Sequence, residues 1–392
     1  MATWYAKIAG DWFAENAWNS TAAGDGSDAT APLTAADTAD LNGKAMTTTN
    51  GSSITQALVQ AATGTLTPTG TLTINGSVTY SGTSTGGMII YGTGATLTIL
   101  SGTVTNSGAG RCLVGSGSGV LVVNNNGGTA LSNTAGQCVH HGSTGAYTIT
   151  GDVSSDGDAY QAYCIQIAAA ATGSVTGNLT HSGAQTGVQQ GEGTITFTGN
   201  VNATDGIGIN VYSGTLVFAG NAKSSGDAEA IRVAYGTCNW LGNRSLAASD
   251  GCYILQQAGT FNLATASDKL TLANSGTLVI FKIGGTLNTA DAGAGAASIV
   301  NQTATSYAAI LGGSDAQKAI ITGPTLPAAA DVEVASGTYG YAGGLLTPAF
   351  VVPLEEDVEL AVEYGAAAEF TGTLAAGGGG APVFGGHVVR RV

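Results

Sequence analysis

The feature that most constrains this chain is a phrase that returns every 21 to 26 residues. Gly193-Thr-Ile-Thr-Phe-Thr-Gly-Asn-Val201, Gly214-Thr-Leu-Val-Phe-Ala-Gly-Asn-Ala222 and Gly236-Thr-Cys-Asn-Trp-Leu-Gly-Asn-Arg244 start 21 and 22 residues apart, and Gly259-Thr-Phe-Asn-Leu263 follows 23 later. Shorter copies lie upstream at Gly145–Asp152 and Gly173–Asn178, and Gly285–Asn288 closes the series. Glycine followed by Asn or Asp recurs at 151, 177, 199, 220 and 242. A unit of this length cannot bury its own apolar edge, so the units must stack on one another.

Inside each unit apolar residues alternate with small or polar ones, as in Ile195/Phe197, Leu216/Phe218, Ile209/Val211 and Ile231/Val233. A period of two means a strand with one buried face. The intervening Gly and Asn supply corners that β-branched residues do not adopt. The expected fold is all-β: a right-handed parallel β-helix whose coils each hold two or three short strands. Residues 64–289 accommodate nine or ten coils, a rod of roughly 45 Å at the usual spacing between strands. Phe197, Phe218 and Trp240 should then stack on successive coils. A β-propeller would need blades of about 40–50 residues, twice this period.

Composition narrows the function classes. Only 9% of the 392 residues are charged, against about 25% in an ordinary globular chain. The hydrophobic fraction of 43% and mean hydropathy of +0.21 argue against wholesale disorder. Glycine is abundant, but without a three-residue period and with 7 prolines it does not make collagen. A net charge of −14 offers no basic face for nucleic acid. No apolar stretch approaches the roughly 18 residues of a membrane span. The first residues, Met1-Ala-Thr-Trp-Tyr-Ala-Lys7, lack the basic segment and apolar run of a secretory signal. Synthesis in a cytoplasm is expected, with exit by lysis, particle assembly or a signal-less route.

The two ends depart from the repeat. Residues 1–63 hold Trp4, Trp12 and Trp18, three of the four tryptophans. They are expected to form a cap and attachment segment, because a bare solenoid end is an unpaired strand edge. Ser53–Ala61 reads as a short helix or as the last strand of that cap. Residues 290–330 are an Ala/Gly-rich transition. Residues 331–392 read as a small separate β element with an acidic strand-like run, Asp357–Glu363, and a flexible tail.

Chemistry-bearing residues are sparse. Asp156, Asp158, Asp205, Asp227 with Glu229, and Asp250 fall near corners, where stacked coils could pair carboxylates about 5–9 Å apart for glycoside cleavage. Asp-Gly is equally a turn dipeptide, and the central coils read as poor in the aromatic and basic residues of a sugar-cutting groove. Turn chemistry is the preferred reading; no catalytic residue, metal or cofactor is assigned. Cys112, Cys138 and Cys164 recur at 26-residue spacing, within reach of a disulfide between neighbouring coils, though interior thiols acting as small hydrophobes are preferred. No CxxC or HxxxH spacing supports a zinc site with His140 and His141; that pair is expected in a solvated corner. Gly115-x-Gly-x-Gly119 lacks the Lys-Ser/Thr of a phosphate loop.

Two stretches carry a resemblance. Asn16-Ala-Trp-Asn-Ser20 followed by Pro32-Leu-Thr-Ala-Ala-Asp37 and the run to Met46 resembles the opening of β-helical proteins of phage particles and bacterial surface adhesins. Glu363-Tyr-Gly365 followed by Phe370-Thr-Gly-Thr-Leu374 resembles a short end piece of phage structural proteins. The resemblance implies a non-enzymatic virion protein, a tail fibre, spike or surface decoration. Its implied partners are other virion proteins, copies of itself (a homotrimer) and host surface glycans. A bacterial adhesin or extracellular filament subunit is the alternative, and a polysaccharide depolymerase a third. No catalytic residue is carried over.

Overall fold

The computed structural model describes residues 2–240 apart from 30–33, 61–62, 159–161 and 226–227. Beyond 240 it describes 244–246, 251–263, 269–272, 277–282, 284–288 and the strands at 298–301, 307–311, 321–322, 331–334, 337–342, 345–349, 363–364 and 370–371. Among these residues there is no helix, so none is long and apolar enough to cross a membrane. The chain winds as a parallel β-helix, as the repeat requires.

Each coil lays down three strands in turn. The first-row strands form one parallel sheet that includes Thr65–Pro68, Ile89–Tyr91, Arg111–Gly115, Gln137–His141, Ile165–Ile167, Thr186–Gln190, Ile207–Val211, Glu229–Val233, Gly251–Gln256 and Thr277–Lys282. Those ten strands make nine turns, about 43 Å at the usual spacing. The second row runs through Thr71–Ile74, Thr96–Leu100, Thr194–Thr198, Thr215–Ala219 and Thr237–Trp240, and the third through Val78–Tyr80, Val104–Asn106, Leu179–His181 and Val201–Ala203. Two long strands, Val120–Asn133 and Tyr147–Ser155, run through both rows and join them into one sheet.

Alternation turns every second side chain inward, and parallel register stacks like on like. Leu66, Ile89, Leu113, Val139, Ile165, Val188, Ile209, Ile231, Ile254 and Ile280 form one continuous ladder. In the second row Ile74, Ile99, Val123, Ile149 and Val175 hand over to Phe197, Phe218 and Trp240. The rings stack as the repeat predicts, with centroids 6.1 Å apart for Phe197–Phe218 and 5.6 Å for Phe218–Trp240. Phe261 extends the column, 6.4 Å from Trp240, although its backbone partner is Cys238.

The repeated Gly-Asn has two separate causes. Gly151, Gly177 and Gly199 sit at φ of 121°, 146° and 141°, a region that L side chains avoid. They also stack so closely that a Cβ on Gly177 or Gly199 would collide with the carbonyl oxygen of the glycine one coil before. The following side chains form their own ladder. Asp152 Oδ1 accepts the Asn178 N–H at 2.8 Å, Asn178 Oδ1 that of Asn200 at 3.0 Å, and Asn200 Oδ1 that of Asn221 at 3.1 Å. Each corner is thereby tied to its neighbour.

The parallel stack reaches back past residue 64. Thr38–Asp40 pairs with Ala57–Gln60, and Ala45–Thr48 with Thr65–Pro68. Within 53–61 the structure has strands Ser52–Ile54 and Ala57–Gln60. The capping elements are the strands Thr3–Ala6, Trp18–Asn19 and Asp28–Ala29, the last two antiparallel to their neighbours. Trp12 and Trp18 are buried with centroids 4.4 Å apart, and Trp18 Nε1 donates to the Trp12 carbonyl at 2.9 Å. Near the other end, 331–334, 337–342 and 345–349 form an antiparallel sheet; most of the acidic run at 357–363 lies outside the described residues.

Candidate functional site

The lumen carries apolar ladders and also polar side chains that hold the corners. Asn106 Nδ2 donates to the Gly110 and Gln137 carbonyls, both at 2.8 Å, and Asn133 Nδ2 to those of Gly136 at 2.8 Å and Ala162 at 3.1 Å. His181 spans the carbonyls of Ser155, at 3.2 Å, and Gln185, at 3.0 Å. Buried amides and imidazoles of this kind are structural, since a buried backbone carbonyl left without a donor is costly.

His141 belongs to this group, which corrects the expectation of a solvated corner. It is fully buried, with Nδ1 2.9 Å from the Tyr91 hydroxyl and Nε2 2.9 Å from the Gly145 carbonyl. Tyr91 reaches His141 two coils away because the residue between them is Gly115, where a Cβ would come within 2.7 Å of the Tyr91 ring. Tyr147 lies over Gly173 in the same manner and donates to the Thr194 carbonyl at 3.3 Å. Gly115 is therefore a packing glycine. His140, half-buried on the outer face, pairs its Nδ1 with Gln166 Oε1 at 2.7 Å. Burial holds His140, His141 and His181 below the ordinary imidazole range.

Cys112, Cys138 and Cys164 are free and fully buried, as the preferred reading has it. Both Cys138 and Val139, and both Cys164 and Ile165, are fully buried, so two successive residues are shielded where simple alternation would bury one. Cys138 Sγ donates to the Ser132 carbonyl at 3.0 Å, and burial pushes the Cys112 and Cys164 thiols up. Such thiols are inert packing groups. Among the described residues, no three His, Cys, Asp or Glu side chains converge as a metal site.

The candidate carboxylates are occupied as ties between and within coils. Asp156 accepts from the Ser182 hydroxyl at 3.0 Å, Asp158 from the Ala184 N–H at 2.8 Å, and Asp205 from the Gly206 N–H at 2.7 Å. Glu229 is buried and forms a bidentate pair with Arg232, at 2.6 and 2.7 Å, a geometry that holds both groups. Asp227 and Asp250 lie outside the described residues.

What the repeat did not reveal lies on the outer face of the first row. Its central outward positions run His140, Gln166, Gln189, Asn210, Arg232 on successive coils. Asn210 Nδ2 donates to Gln189 Oε1 at 2.9 Å. Beside this row, Tyr212 and Tyr235 project from neighbouring coils, 49% and 66% exposed. Their rings meet edge to face with centroids 5.5 Å apart. These two rings and Arg232 are the aromatic and basic groups that coils otherwise poor in both present here. The second-row face is different: Thr71, Thr73, Thr96, Thr98, Thr194, Thr196 and Thr215 point outward, and between 71 and 262 no second-row strand carries a charged residue apart from Asp152, which sits at the corner with the third row.

No protein-family model, no curated protein and no solved structure matches this chain.

Proposed function

We propose that this chain is a non-enzymatic structural protein of a phage particle, a fibre, spike or surface decoration whose β-helix projects outward and contacts a host or environmental surface. The observation that carries the reading is the employment of the corner carboxylates. Asp152, Asp156 and Asp158 each accept a bond from the next coil, Asp205 closes its own turn, and Glu229 is locked to Arg232. A glycosidase needs two carboxyl groups free to protonate and attack; here Asp152, Asp158 and Asp205 accept backbone N–H groups, Asp156 a serine hydroxyl and Glu229 the Arg232 guanidinium. The filled lumen and the tryptophan-plugged end supply a stiff rod, and the resemblance of the terminal segments supplies the setting.

In this reading the mature protein resides in the virion, and contacts with other virion proteins and with further copies, as a homotrimer, concentrate in residues 1–63 and 331–374. Two measurements test it. The neighbouring genes should encode capsid, portal or tail proteins; secretion and anchoring genes would assign the rod to a bacterial adhesin or filament instead. Incubation with capsular and cell-wall polysaccharides should release no reducing ends. Release that Asp205→Asn abolishes would overturn the non-enzymatic reading.

A further inference from the structure

We infer that the first-row face carries a binding site for a neutral glycan, centred on Tyr212 and Tyr235. This deepens the surface-contact reading above and rests on it. Both tyrosines follow first-row strands, Ile207–Val211 and Glu229–Val233, and the Tyr235 N–H donates to the Tyr212 carbonyl at 2.8 Å. Neighbouring coils thus fix their backbones. Their rings are among the few large apolar groups left in solvent; Ile8 and Phe13, the others among the described residues, belong to the N-terminal segment. An aromatic pair held on rigid strands presents apolar area at little cost in lost freedom.

The groups beside the rings decide the partner's chemistry. Asn210 lies two residues before Tyr212, and Arg232 three before Tyr235. Asn210 Nδ2 donates to Gln189 Oε1 and its Oδ1 is buried, so this amide pair stiffens the surface beside the rings. Gln166 and Gln189 continue the line of planar amides at one coil, about 4.8 Å, per step. Amides of this kind both donate and accept, as sugar hydroxyls do. A pyranose ring offers a C–H face to an aromatic ring and hydroxyls at its rim, which is the combination presented here.

Charge excludes the other glycan classes. The Arg232 guanidinium is neutralised by its bidentate pair with Glu229, and Glu192 sits in the turn one coil before Ser213. Among the described residues no uncompensated cation faces the tyrosines, and the Glu192 carboxylate would repel a polyuronate or sialylated chain. An apolar protein partner would find two rings in a polar surround, far short of the desolvated centre that a stable protein interface needs.

Affinity electrophoresis of the full-length protein tests the site. Gels are cast with neutral polysaccharides (galactomannan, dextran, xyloglucan, arabinogalactan) or with alginate and hyaluronate as anionic probes. At least one neutral polymer should retard the protein, and Tyr235→Ala should weaken that retardation about tenfold. Tyr212→Ala should act in the same direction, while Thr196→Ala on the second-row face should bind as the parent does. The inference is overturned if none of the neutral polymers retards the protein, if only the anionic ones do, or if the Tyr212→Ala/Tyr235→Ala double variant is retarded like the parent. Circular dichroism of the variants confirms that the coils persist, since both rings are exposed. Should the tyrosine variants leave binding unchanged while the gene neighbourhood is that of a phage, the site fails and the surface role stands.

Discussion

The first and second rows share one lumen, one strand spacing and one handover from coil to coil, yet they face solvent with different chemistry. The second row shows threonine and asparagine and, between its corners, no charge; the first shows imidazole, amides, a locked ion pair and two exposed tyrosines. Both solve the inward problem with ladders, so the outward positions are free to vary without threatening the fold. The difference teaches that the inner register makes the rod, whereas the outer faces are free to carry different chemistry, and the proposed glycan contact is assigned to one of them. The same separation appears inside: the second row carries the aromatic column, and the first carries an Ile/Leu/Val ladder beside thiols, Tyr91 and His141.

The largest expected contrast lies in those interiors. Phe218→Ala removes a fully buried ring from the middle of the column and should cost about 3–5 kcal/mol, whereas Ile209→Val in the first row should cost about 0.5–1.5 kcal/mol. Denaturant midpoints measure both. Equal costs would mean that the aromatic column is no more central than the aliphatic ladder opposite.

An intermediate effect separates the rows by pH. His140 and His141 stand in the first row and His181 in the third; the second-row strands have none. Burial lowers all three in the folded chain, while the unfolded chain protonates near pH 6.5. Below that value the unfolded state binds more protons than the folded one. Stability is therefore fully present above about pH 6.5 and falls as pH drops, by at most about 1.4 kcal/mol per pH unit for each histidine. Unfolding measured from pH 7.5 down to pH 5.5 should show this slope, and His141→Gln should flatten it. A flat profile in the parent would show that His141 titrates normally and is open to water.

The coils were legible in the sequence because alternation, Gly-Asn corners and the aromatic series repeat at one period. Corners were harder. At Cys138-Val139 and Cys164-Ile165 two successive residues are fully buried, which breaks the alternation from which inward faces are read. His141 looked solvated because a polar pair beside Gly142 has the composition of a turn; only Gly115, opening space for Tyr91 two coils earlier, makes room for it inside. Tyr212 and Tyr235 escaped notice inside Val-Tyr-Ser-Gly and Val-Ala-Tyr-Gly turns. A signal existed, since they lie 23 residues apart, Tyr235 immediately before the repeat start at Gly236 and Tyr212 two residues before that at Gly214.

The smallest expected effect tests whether outer positions are as free as the comparison claims. Thr196 points outward from the second row, and Thr196→Ala should change stability by no more than about 0.5 kcal/mol. Asn200 is also partly in solvent, but its Oδ1 accepts the Asn221 N–H and its own N–H is accepted by Asn178. Asn200→Ala should therefore cost about 1 kcal/mol, the net worth of one hydrogen bond, because the Asn221 N–H loses its acceptor while the bond from the Asn200 N–H survives. Asn200→Asp is the discriminating control: aspartate keeps the accepting oxygen, as Asp152 does at the equivalent corner, and should restore most of the loss. If the alanine and aspartate variants fall together, the amide nitrogen rather than the ladder oxygen holds the corner. If neither falls, the Gly-Asn signature reflects glycine alone, and the outer surface is free at its corners as well as along its strands.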